Sequence, residues 1–123
     1  MSQDTLSIDV GSAADGNAQI FVLHGSLDVA TSPAARAALI DAAERGHHEI
    51  IVDLSRVDFL DSTGLGALIG AQRRAKENGG QVRLVVADGQ ILRLLRITGL
   101  LSVLPVYDNV DSALAAEGPL AGL

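Results

Sequence analysis

At about 150 residues per domain, a chain of 123 residues is one domain, and a single compact surface has to carry its function. Its 48% hydrophobic and 20% charged residues suit an ordinary globular core. The absence of Cys excludes disulfides, thiolate nucleophiles, Cys-held zinc and iron–sulfur clusters, and favours a reducing compartment, the cytoplasm. A formal net charge of -6 opposes a nucleic-acid backbone, and Phe21, Phe59 and Tyr107 are too few aromatics to stack bases, so no direct nucleic-acid partner is expected.

No uncharged run exceeds the twelve residues 16–27, short of the ~20 that a spanning helix needs. Residues 1–4 lack the basic-then-apolar pattern of a secretory signal, so neither export nor membrane insertion is expected. The acidic residues concentrate in the first half of the chain.

Leu6, Ile8 and Val10 alternate with Ser7 and Asp9, and a second apolar run follows over 18–24, which predicts a strand pair joined by a turn over 11–17. Residues 25–32 are a polar loop. Ser32 followed by Pro33 predicts a capped helix start, and the helix runs to about Arg45 with Ala34, Ala37, Ala38, Leu39 and Ala42 as its apolar side and Gly46 as its stop. The β-branched run over 49–53 predicts a buried central strand, followed by a loop over 54–61.

From Ser62, Leu65, Leu68, Ile69 and Ala75 fall at helical spacing, Arg73, Arg74 and Lys76 gather where they complement the helix dipole, and Gly79-Gly80 ends the helix. A strand over 81–86, a helix over 89–96 closed by Thr98-Gly99, a short strand over 103–106 and a helix capped by Asp108 and running through Ala116 complete the order. This alternation predicts a single α/β domain over 1–117 with a mixed, mostly parallel sheet of four to five strands and about four helices. Residues 118–123 are expected to be a disordered tail.

The densest chemical signal is Asp61-Ser62-Thr63-Gly64-Leu65-Gly66, where a loop becomes a helix. Its plainest reading is a helix start with Asp61 or Ser62 as cap. Two glycines in a first turn cost about 1 kcal/mol each against alanine, which points to something that approaches this backbone closely. A hydroxyl at a helix N-terminus also tolerates an added phosphate, because free amides and the dipole both favour an anion.

Catalytic readings fare worse. A serine-hydrolase elbow needs Gly two residues before Ser, but position 60 is Leu, and all three histidines precede Ser62. Thr63 interrupts the Asp-Ser/Thr-Gly order of an aspartic protease. A phosphate loop needs Gly-Lys-Ser/Thr, and the only lysine is Lys76. The contiguous His47, His48 and Glu49 do not converge easily on one ion, and His24 reads as a core-edge residue. Asp53 at a strand end suggests a receiver domain, but the acidic pair and lysine of that chemistry are missing. No catalytic residue, metal or cofactor is implied.

Taken together, Asp53-Leu54-Ser55, Val57, Phe59-Leu60 and Asp61-Ser62-Thr63-Gly64-Leu65-Gly66 resemble the STAS domain of bacterial anti-sigma factor antagonists. Gly25-Ser26-Leu27-Asp28 with Thr31, and Ile97-Thr98-Gly99-Leu100, match further marks of that family in its order. Ser26 departs from it where an acidic residue is common. The resemblance implies a STAS-like fold and a regulatory binding protein rather than an enzyme. Unmodified, such a protein binds a serine-kinase anti-sigma factor and frees the sigma factor. Phosphorylation, here on Ser62, switches binding off, and a PP2C-type phosphatase resets it. It also implies that Asp28, Thr31, Asp61, Thr63, Gly64 and Leu65 meet the partner. The alternative within the family is an assembly subunit of a membrane transport complex. Sulfate-transporter and stressosome members carry the domain in a longer chain, and the absence of such segments here points away from them.

Overall fold

A computed structural model describes residues 5–87, 89–116 and 118–120. The elements run β1 (Leu6–Ser12), β2 (Ala18–Leu27), α1 (Ser32–Glu44), β3 (Glu49–Leu60), α2 (Ser62–Glu77), β4 (Gln81–Val85), α3 (Gly89–Ile97), a 3-10 turn (Leu100–Ser102), β5 (Val106–Tyr107) and α4 (Val110–Ala115). They form one five-stranded sheet in the order β1-β2-β3-β4-β5, antiparallel between β1 and β2 and parallel elsewhere.

Period-two alternation assigns the faces of this sheet. Ile50, Val52 and Leu54 of β3 join Phe21 and Leu23 of β2 in a core shared with Leu39 of α1, Leu68 of α2 and Leu95 of α3. Ile51, one residue out of phase, belongs with Ala18, Val85, Tyr107 and Ala113 in a smaller cluster that includes α4. The start of β3 is therefore buried on both faces, which explains its unbroken apolar run. Gln72 of α2, 2% exposed, accepts from the Val82 N–H at 2.7 Å and donates to the Val82 and Val103 carbonyls, tying the helix to β4 and to the segment before β5.

Several boundaries differ from the sequence expectation. Residues 25–27 and 54–60 are strand rather than loop: β2 and β3 stay paired in parallel as far as Leu27 and Leu60, with register shifts between Val22 and His24 and between Gly25 and Ser26. These irregularities break the period of two, so Leu54, Val57 and Leu60 point inward at intervals of three. The strand expected over 103–106 begins only at Val106: residues 103–105 lie between the 3-10 turn and β5, which is just Val106–Tyr107. Asn109, not Asp108, caps α4, accepting from the Ser112 N–H at 2.7 Å.

α1 buries Ala35, Leu39, Ala42 and Ala43, while Ala34 and Ala37 face solvent. Thr31 rather than Ser32 occupies its cap position and makes no side-chain cap bond. Ser32 is 2% exposed and, among the described residues, its Oγ has no hydrogen-bond partner. An unsatisfied buried hydroxyl costs about 1–3 kcal/mol, so the cap signal at Ser32 conceals a locally unfavourable arrangement. At the far end of the chain, the Leu120 N–H donates to the Val106 carbonyl at 2.7 Å and its side chain packs against the core. The expected tail is thus attached at residue 120, and residues 121–123 lie outside the described residues.

Candidate functional site

Parallel strands deliver their C-terminal loops to one edge of a sheet, the usual place for a site in an open α/β fold. Here that edge carries residues 28–31 after β2 and the Leu60–Asp61–Ser62 junction after β3. The two are joined directly, because the Asp61 N–H donates to the Leu27 carbonyl at 3.3 Å.

Asp61 has extended backbone geometry and caps α2, its Oδ1 accepting from the Gly64 N–H at 3.0 Å. Its carbonyl accepts from the Leu65 N–H at 3.0 Å. The N–H groups of Ser62 and Thr63, at the first two helical positions, have no acceptor within the helix. Both side chains are exposed, so Ser62 Oγ stands in solvent beside free amides at the positive end of the helix dipole.

The two glycines of the motif differ. A Cβ on Gly64 would lie 2.5 Å from the Leu27 carbonyl oxygen and 2.7 Å from Leu60 Cδ1, whereas one on Gly66 would meet nothing within 4 Å. The close approach expected from the sequence is therefore made at Gly64 by the chain's own β2 end. Gly64 is buried and Leu65, 6% exposed, belongs to the main core, so these two set the site from beneath while Ser62, Thr63 and Gly66 form its outer surface.

Asp28 is 7% exposed and organises the neighbouring loop. Its Oδ1 accepts from the Ala30 N–H at 2.9 Å and the Thr31 N–H at 3.1 Å, while Thr31 Oγ1 accepts from the Asp28 N–H at 2.9 Å and donates to the Ser26 carbonyl at 2.7 Å. This is an Asx-type turn closed on itself. Gly25 enters it with φ +112, a backbone region that L side chains rarely adopt. Ser26 Oγ donates to Asp58 Oδ1 at 3.2 Å. Asp28→Asn keeps the accepting oxygen and is expected to melt within a few degrees of the parent. Asp28→Ala leaves two loop amides unpaired and is expected to lose about 1–3 kcal/mol, as thermal melts of the two variants will read.

Sequence reading attached no role to Val29, which is 71% exposed beside Asp28, and used Phe59, 51% exposed just before the Ser62 turn, as a motif residue and in the aromatic count. Both are large apolar side chains held in water on the edge that carries Asp28 and Ser62. Val29 stands in the loop after β2, and Phe59 falls between the inward Val57 and Leu60 near the end of β3, where the irregular register breaks the period of two. His24 Nε2 lies 3.3 Å from Asp9 Oδ2 across the β1–β2 pair. Among the described residues no cluster of three or more His, Cys, Asp or Glu could hold a metal, and no helix is long and apolar enough to cross a membrane.

A family model for the STAS domain matches residues 12–113, nearly the whole span from β1 to α4. The chain belongs to the STAS domain family. Among similar curated proteins, an anti-sigma F factor antagonist of Paenibacillus polymyxa is 34% identical over 93 residues, covering 75% of this chain and 80% of its own. Among solved structures, an anti-sigma factor antagonist from Mycobacterium paratuberculosis has a TM-score of 0.84 at 26% identity, covering 94% of this STAS domain and 96% of that chain. The Bacillus cell fate determinant SpoIIAA in its phosphorylated form has a TM-score of 0.69 at 21% identity, with 89% and 98% covered, and shares the fold. The mixed five-stranded sheet and four helices of this STAS domain are the architecture of those neighbours.

Proposed function

We propose that this chain is an anti-sigma factor antagonist whose binding is switched at Ser62. In its unmodified form it binds a serine-kinase anti-sigma factor in the cytoplasm and so releases the sigma factor. The kinase transfers the γ-phosphoryl group of ATP to Ser62 Oγ, with ADP leaving and the hydroxyl proton passing to solvent or base, and the complex dissociates. A PP2C-type phosphatase hydrolyses the ester and restores the binding form.

The observation that carries this reading is the position of Ser62: exposed, at the first helical position, beside two amides free of intrahelical bonds, with exposed Val29 on the loop after β2 and exposed Phe59 near the end of β3. The relatives, an anti-sigma F factor antagonist and an anti-sigma-B factor antagonist, support the partner class. Phosphate at this point adds about 1.5 to 2 negative charges to the centre of a surface that the partner must desolvate. The free amides and helix dipole hold the same charge comfortably in the free protein. The modification is therefore harmless to the fold and costly to the complex.

Affinity capture from the cells that make the protein tests the reading. The unmodified chain should retain a serine kinase that also binds a sigma factor, and Val29→Asn with Phe59→Asn should lose it while melting normally. Capture of a transport ATPase instead, with no kinase, would turn the assignment to an assembly subunit.

A further inference from the structure

Five positions of α2 fall on one stripe. Ser62, Gly66, Ile69, Arg73 and Lys76 recur at intervals of four and three residues, which keeps them on one face of the helix, and together they span about 21 Å at 1.5 Å per residue. Ile69 is half-buried and the other four are exposed. The stripe is a ridge between two grooves. One, of about 410 Å³, lies toward α1 between Arg36, Ala37 and the Thr63–Gly66 turn; the other, of about 550 Å³, lies toward the 3-10 turn between Ile69, Arg73, Lys76 and Val103.

Gly66 has no use inside the chain, since a Cβ there would meet nothing within 4 Å and glycine is a poor helix former. Bare backbone on an outer helix face admits a second helix closely. The two ends of the ridge also differ in charge. Asp58 and Asp61 come just before Ser62, whereas Arg73 and Lys76 stand at the far end and make no ion pair among the described residues; Glu77 beside them is engaged by Arg74 at 3.2 Å.

Reversed about Ile69, the ridge maps onto itself: position 62 falls opposite 76 and position 66 opposite 73. Each acidic end then meets a basic end, the long Arg73 side chain lies over the bare backbone at Gly66, and the two helix dipoles run antiparallel. We infer that the α2 ridge pairs with the same ridge of a second copy of this chain, antiparallel and two-fold, with Ile69 at the axis. Every favourable charge contact is made twice in such a pair. A contact built on one helix is small, so the dimer is transient and forms as concentration rises. It covers Ser62, and a copy held in it cannot offer that hydroxyl to another protein. The pairing stands whether or not the antagonist reading holds, because it needs no other partner.

Sedimentation velocity of the purified chain over a concentration series tests it. The mass should move from monomer to dimer and stop there. Lys76→Glu sets a carboxylate opposite Asp61 and should raise the dissociation constant at least tenfold. Gly66→Gln fills the bare backbone and should do the same, while melting no lower than the parent. The chain contains no Cys, so Ile69→Cys supplies a single thiol, and mild oxidation should link two copies through it, whereas Arg93→Cys on the exposed face of α3 should stay unlinked. A monomer at every concentration, growth beyond the dimer, a parental dissociation constant in Lys76→Glu or Gly66→Gln, or equal linking of the two thiols would overturn the pairing.

Discussion

Replacing Gly64 with alanine is expected to destabilise the domain by about 3 kcal/mol, the upper part of the range for overpacking a tight core. The added Cβ would stand 2.5 Å from the Leu27 carbonyl oxygen, which is backbone and also accepts from the Asp61 N–H, and 2.7 Å from Leu60 Cδ1. A flexible side chain could turn aside, but the carbonyl belongs to the strand that carries the Asp28 loop. Relief must come from lifting the first turn of α2, which breaks the Asp61 cap and displaces Ser62. At about 4 °C per kcal/mol for a domain of this size, the melting temperature should fall by roughly 12 °C. Gly66→Ala, two residues along the same helix, should instead raise stability by about 0.5–1 kcal/mol, since it gains helix propensity and meets nothing. Parallel melts of the two variants check this opposition, and equal effects would show that α2 is not held against β2 in this way.

Phosphoserine encoded at position 62 should cut the affinity for the anti-sigma kinase about a hundredfold, equivalent to roughly 3 kcal/mol, while the melting temperature stays within a few degrees of the unmodified protein. The unequal outcome follows from where the charge sits. In the free protein the phosphate would face water and the N-terminal amides of α2; in the proposed complex it would be pressed against the partner and stripped of water. Calorimetric titration alongside a melt reads both quantities. An affinity loss accompanied by a drop of ten degrees would indicate unfolding of the site instead of a local electrostatic switch. Ser62→Ala is a poor substitute, since it removes the acceptor without adding charge.

The helices and the parallel sheet were legible because their apolar residues repeat with clear periods. The short β-branched run Ile50-Ile51-Val52 reads as a buried strand by its length and branching, and Leu65, Leu68 and Ala75 mark the buried side of α2. Legibility failed where two chains of contacts competed. β3 beyond Asp53 looks like a loop because Ser55, Arg56 and Asp58 interrupt it and the inward residues fall three apart, a pattern produced by irregular pairing with β2 that only tertiary structure reveals. In α1 nearly every candidate position is alanine, so the faces offer no contrast, and the outward Ala34 and Ala37 were indistinguishable from the inward Ala35 and Ala43.

The Asp61-to-Gly66 motif stood out in the sequence, and its two glycines suggested a close approach. Only the structure separates Gly64, which packs on Leu27, from Gly66, which is open. Likewise Asp28 and Thr31 look like loop residues in sequence and prove to be partners in a closed hydrogen-bonded turn. Val29 and Phe59 were opaque, since exposure of an apolar side chain is a property of the assembled edge and not of its neighbours in the chain.

The most direct test of the switch is mass spectrometry of the native protein from growing and from stressed cells, with the peptide spanning residues 61–66 sequenced. Phosphate on Ser62 whose occupancy changes with condition is the predicted result. A fully covered peptide that carries an unmodified Ser62 in every condition would contradict it.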